Sequence, residues 1–104
     1  MNRDAVREGL VLEALRSVMD PELGCNIVDL GLIYQVDIQG NRVRIRMTAT
    51  TPGCPMVQSL VDGVHAAISR LEAVDEVDVQ LVWDPPWRPA MMTEAGRNLT
   101  GLRS

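Results

Sequence analysis

The chain has 104 residues, 46% hydrophobic and 23% charged, the size and composition of one globular domain spanning residues 1–104 rather than of a disordered or fibrous chain. A formal charge of −4 argues against sequence-independent nucleic-acid binding, which needs a basic surface to neutralise phosphates. No run matches a membrane helix or a secretory signal, so the expectation is a cytoplasmic protein with neither nucleic acid nor membrane as partner.

From Asp4 to Val18 the apolar residues Val6, Leu10, Val11, Ala14, Leu15 and Val18 recur at helical spacing, and Asp20-Pro21 stops the pattern. The segment from Asp20 to Gly31 holds two glycines, a proline and three carboxylates, and reads as an extended connection with an apolar patch at Ile27, Val28 and Leu30. Ile33 to Ile38 and Val43 to Met47 then alternate around Gly40-Asn41, a hairpin whose Val43, Ile45 and Met47 face the core. Arg42, Arg44 and Arg46 share the other face, and a solvated strand face accounts for them without a nucleic-acid ligand. Val57, Leu60, Val61, Val64, Ile68 and Leu71 predict a second helix. Val77, Val79, Leu81 and Trp83 predict a third strand, ended by the prolines from Pro85 onward. A short final helix is expected from Thr93, as cap, to Leu102. The order αββαβ(α) predicts an α+β (α/β) fold, a small mixed and largely antiparallel sheet packed on one face by helices.

Chemistry concentrates at Cys54. Pro55 is favoured at the first helical position, which puts Cys54 at or beside the N-cap of the second helix, where unpaired N–H groups and a partial positive charge stabilise a thiolate. Thr48, Thr50 and Thr51 supply hydroxyls that can donate to a sulfur or an anion. Burial as a small apolar residue is the competing reading of Cys54, and the stronger one for Cys25, which has no helix end beside it. There is no CxxC or HExxH arrangement, so a closed zinc site within one chain is not supported. A single cysteine per chain can still serve a cluster at a two-fold interface, which would make the protein a homodimer. His65 would lie roughly 16 Å along the helix from Cys54, too far for a dyad. No P-loop, dinucleotide fingerprint or GxSxG occurs, so a self-contained enzyme or a bound nucleotide is not expected. Asp20, Glu22 and Asp29 flank the first connection, where carboxylates commonly just cap turns. Trp83-Asp84-Pro85-Pro86-Trp87 sets two aromatics around a rigid segment, as a binding rim or as a packed corner.

Three ordered motifs carry a resemblance. Asp20-Pro21-Glu22-Leu23 with Ile27-Val28-Asp29-Leu30-Gly31-Leu32-Ile33-Tyr34, then Met47-Thr48-Ala49-Thr50-Thr51-Pro52-Gly53-Cys54-Pro55, then Trp83-Asp84-Pro85-Pro86-Trp87 together resemble the SufT/PaaD-like family, over nearly the whole chain. The resemblance implies the fold of the iron–sulfur-cluster-assembly domain and an accessory or carrier role in maturing iron–sulfur proteins. Cys54 matches the family's cysteine and is the expected thiolate ligand of a transient cluster or iron. Asp20, Glu22, Thr48, Thr50 and Thr51 match positions expected to shape the pocket around it, and Trp83, Asp84 and Trp87 match the C-terminal motif, expected to meet partners. Those partners are the assembly machinery and client apoproteins. The alternative is a metal-free adaptor that recruits them. Cys25 stands where no function carries over.

Overall fold

The computed structural model describes residues 8–21, 23–50 and 57–101. The element order is α1 (Glu8–Leu15), β1 (Met19–Asp20), β2 (Cys25–Asn26), β3 (Ile33–Gln39), β4 (Arg42–Met47), α2 (Val57–Ser69), β5 (Glu76–Leu81), a short 3₁₀ turn (Pro89–Met91) and α3 (Glu94–Thr100). It is an α+β fold with a mixed sheet, as expected.

β3 and β4 pair antiparallel across Gly40-Asn41. Gly40 takes φ 61° and no non-glycine among the described residues has positive φ, the pattern of a hairpin turn with glycine at its first central position. β4 then pairs with β5 in parallel, in unbroken register from Arg42 opposite Glu76 to Met47 opposite Leu81, because α2 carries the chain back across the sheet before β5 begins. One of the two pairings in this sheet is therefore parallel, where a largely antiparallel sheet was expected.

Val43, Ile45 and Met47 alternate inward and are buried with Val11 and Leu15 of α1 and Leu60, Val64 and Ile68 of α2. Arg42, Arg44 and Arg46 stand on the solvated face. There Arg42 pairs with Glu76 at 2.8 Å and Arg44 with Asp78 at 3.1 Å, so the arginine stripe is matched by acids across the parallel register.

Several boundaries differ from the sequence expectation: α2 ends at Ser69, short of Leu71, and α3 ends at Thr100 with Gly101 as its cap. α1 ends at Leu15 rather than Val18, and Ser17 and Val18 donate to the carbonyls of Ala14 and Leu15 in a closing turn. The chain then enters a two-strand hairpin: Met19 faces Asn26 and Asp20 faces Cys25. Tertiary pairing thus replaces the last helical turn, and the supposed connection holds strands too short to show an alternating pattern. The third strand stops at Leu81, which leaves Trp83 outside it.

Candidate functional site

The topology brings the three motifs to one end of the sheet. β3 begins with Ile33 opposite Met47, the last residue of β4, and parallel β5 ends at that same level with Leu81. Tyr34, Thr48 and the segment leading to Asp84 therefore lie at one end of the sheet. Thr48 donates its N–H to the Leu32 carbonyl at 2.8 Å, and Val82 donates to the Met47 carbonyl at 2.8 Å. The C-terminal ends of parallel strands are where α/β sheets commonly open to ligands, because the connections diverge there.

Thr48 is 0% exposed, and its hydroxyl Oγ1 makes no hydrogen bond of good geometry among the described residues, the Tyr34 phenol being its polar neighbour. A buried hydroxyl left without a good partner costs about 1–3 kcal/mol. Thr50, two residues on, is half-buried at the mouth of the connection to α2. Thr51, Cys54 and Glu22 lie outside the described residues, as does the expected capping of α2 by Cys54.

Asp20 is buried in β1, and its Oδ1 accepts the Leu23 N–H at 3.1 Å. Asp29 accepts from the Asn26 side-chain amide at 2.8 Å and from the Thr93 hydroxyl at 3.0 Å. The Asn26 side chain in turn accepts the Asp29 N–H at 2.9 Å. Asp29 is thus a turn and docking residue rather than an open ligand. Among the described residues no three His, Cys, Asp or Glu side chains gather as a metal site.

The C-terminal motif separates into an anchored part and an exposed part. Trp87 is half-buried against the core and donates its indole N–H to the Leu30 carbonyl at 2.6 Å, the partner a buried indole requires. Tyr34 donates its hydroxyl to the Pro85 carbonyl at 2.8 Å and lies 3.5 Å from Met91 Sδ. Trp83, by contrast, is 39% exposed, and Asp84 faces solvent. Burial pushes the Tyr34 phenol up, the nearby Thr48 hydroxyl opposing this and the Asp84 charge adding to it. Sequence reasoning quoted Tyr34 but gave it no role. Its signal was a lone polar-tipped aromatic at the head of an apolar strand.

Cys25 is fully buried in the core, and burial, then the Asp29 charge, pushes its thiol up. It stays protonated at neutral pH and is a packing residue. His65 is exposed on α2 with Nδ1 3.4 Å from the Ser69 hydroxyl. A trough of about 370 Å³ on the solvated sheet face is lined by Arg42, Arg44, Glu76 and Asp78 among others. Its ion pairs and its distance from the motif end mark it as solvated surface rather than the site.

Comparison with known proteins shows the family. Over 101 residues the chain is 39% identical to the Fe-S protein maturation auxiliary factor YitW of Bacillus subtilis, covering 96% of this chain and 98% of that one. It is 37% identical to the Fe-S protein maturation auxiliary factor SufT of Staphylococcus aureus, over 82% of this chain and 98% of that one. The crystal structure of a domain of unknown function from Bacillus anthracis superposes with a TM-score of 0.86 at 38% identity, covering 92% of each chain. Residues 8–79 match the family model described as iron–sulfur cluster assembly protein, a span that holds two of the three converging motifs, and the chain accordingly belongs to the iron–sulfur cluster assembly protein family.

Proposed function

We propose that this protein is an accessory factor in iron–sulfur cluster assembly that holds iron or a labile cluster transiently through the Cys54 thiolate and hands it to client apoproteins. Family membership and relatives named as auxiliary factors of Fe–S protein maturation support the accessory role. The observation that supports the site is the fully buried Thr48 hydroxyl, which makes no hydrogen bond of good geometry among the described residues, at the sheet end six residues before Cys54. A donor held dry and unpaired can meet an acceptor that arrives with the cargo, such as a thiolate or a cluster sulfide. Thr50, Thr51, Asp20 and Glu22 would shape the surrounding pocket.

One cysteine at this motif supplies one ligand, and a cluster needs about four. The remainder would come from a second copy across a two-fold axis, from the client, or from a small thiol. The cargo is a substrate in transit, and the protein does no chemistry on it beyond ligation. Nothing in this scheme requires a nucleotide.

The test is anaerobic reconstitution with iron and sulfide of wild type and Cys54→Ser, read by visible absorption and metal analysis. Cys54-dependent charge-transfer bands at about half a cluster per chain are expected for a subunit-bridged carrier. Equal metal in both proteins sinks the carrier reading. The exposed Trp83 ring and the neighbouring Asp84 favour a second reading, a metal-free adaptor that recruits clients through this rim. On that reading Cys54→Ser leaves client maturation intact and Trp83→Ala abolishes it.

A further inference from the structure

We propose that the outer edge of β5 is a strand-addition site for an extended segment of a client or assembly partner whose side chains alternate between apolar and basic. Val82 and Glu76 donate to the carbonyls of Met47 and Asn41, at 2.8 and 3.4 Å. That phase turns the backbone groups of Glu76, Asp78 and Gln80 toward β4 and those of Val77, Val79 and Leu81 away from it. β5 is an edge strand of its sheet, so three consecutive outward residues offer unpaired N–H and C=O groups among the described residues.

Edges of this kind are normally blunted by a bulge, a proline, a lysine or another charged side chain. β5, Glu76-Val77-Asp78-Val79-Gln80-Leu81, has no bulge, proline or basic residue, its register with β4 is unbroken, and its two charges, Glu76 and Asp78, are engaged by Arg42 and Arg44. The opposite edge, β3, is treated differently. A register irregularity interrupts it between Ile33 and Gln35, and Tyr34 is tied to Pro85.

Side chains on β5 specify the guest. Val77, Val79 and Leu81 are half-buried, so the apolar layer beneath α2 is left open along this edge and a neighbouring strand with apolar residues on that face would extend it. On the solvated face the row runs Arg42 to Glu76 and Arg44 to Asp78, and a basic residue on a sixth strand would continue the alternation of charge. Residues 71–87 contain five acids and no base; Glu76 and Asp78 are paired with Arg42 and Arg44, and Glu72, Asp75 and Asp84 remain to bias the edge towards a cationic segment over an acidic one. A guest strand would end beside Trp83, the exposed aromatic of the C-terminal motif.

The inference deepens the recruiting role proposed above, but its test needs neither Cys54 nor a cluster. Failure of reconstitution and failure here are therefore separate results. The probe is a blocked seven-residue peptide alternating valine and lysine, with a valine–glutamate peptide as control, and the readout is amide hydrogen exchange of the intact chain by NMR. The lysine peptide is expected to slow exchange at Val77, Val79 and Leu81 at least tenfold, and the glutamate peptide to leave it unchanged. Val79→Pro, which removes one outward N–H and spares the β4 ladder, is expected to weaken peptide binding at least tenfold. No binding, protection located at Val36 and Ile38 instead, or equal protection by both peptides overturns the proposal. Protection at β5 that rises with protein concentration alone assigns the edge to a second copy and overturns it equally.

Discussion

Thr48 and Trp87 illustrate opposite uses of a buried polar group. The Trp87 indole has its partner in the Leu30 carbonyl at 2.6 Å, so Trp87→Phe strands a part-buried carbonyl and is expected to cost about 1–3 kcal/mol in urea unfolding. The Thr48 hydroxyl makes no hydrogen bond of good geometry among the described residues. Thr48→Val keeps the shape and removes the unpaired hydroxyl, so stability is expected to hold or to rise by up to about 2 kcal/mol while client maturation falls. A protein that becomes more stable and less active on this change has a hydroxyl kept for its cargo; loss of stability would show that the hydroxyl is satisfied within the fold. Cys25 makes a third case, since its thiol is enclosed in the core and Cys25→Ala is expected to leave a reconstituted cluster's spectrum unchanged.

At the scale of elements, the C-terminal segment owes its place to backbone contacts more than to apolar area. Thr93 caps α3 by accepting the Gly96 N–H at 3.1 Å and donates to Asp29, while Gly101 closes the helix with φ 75°. Gly96 lies directly against the Asp29 carbonyl, and a Cβ there would overlap that oxygen. Gly96→Ala therefore cannot be relieved by a side-chain rotation. It is expected to cost about 1–3 kcal/mol and to speed amide exchange along Glu94–Thr100 while β4 stays protected. Unchanged exchange in α3 would show that the helix is held elsewhere. Because the strap from Trp83 to Met92 also ties Tyr34 and Leu30, loosening α3 is expected to reach the motif end of the sheet.

For the molecule as a whole, alkaline pH isolates a few groups. The chain has no lysine and one tyrosine, so Cys and Tyr titrate there with little else. Cys25 and Tyr34 both have folded values raised above their ordinary 9.0 and 10.0, chiefly by burial. The unfolded chain then sheds these protons first and binds fewer than the folded one, so stability is expected to fall as pH rises from about 9 through the raised values. Below about pH 9 the two groups contribute no slope. Urea midpoints of wild type and of the Cys25→Ala, Tyr34→Phe double variant measure this: the double variant is expected to lose less over the same window, and parallel curves would refute the assignment.

Features that repeat at short range were legible in the chain alone. Alternation at Val43, Ile45 and Met47, helical spacing from Leu60 to Ile68, the glycine turn at Gly40 and the threonine cap at Thr93 each reflect local geometry, and each stands where its pattern put it. The three motifs were equally legible as strings, and they pointed to the family. Only the tertiary structure decided what those strings do to one another. A parallel β4–β5 pairing cannot be read from either strand, because direction is set by the α2 crossover and not by the alternation of side chains. The same pairing matches Arg42 and Arg44 with acids more than thirty residues away, and other tertiary contacts enclose the Thr48 hydroxyl without a well-placed partner among the described residues and turn Trp87 inward while Trp83 stays out. Burial and hydrogen-bond satisfaction depend on which distant groups arrive, and a linear sequence does not state the distances between them.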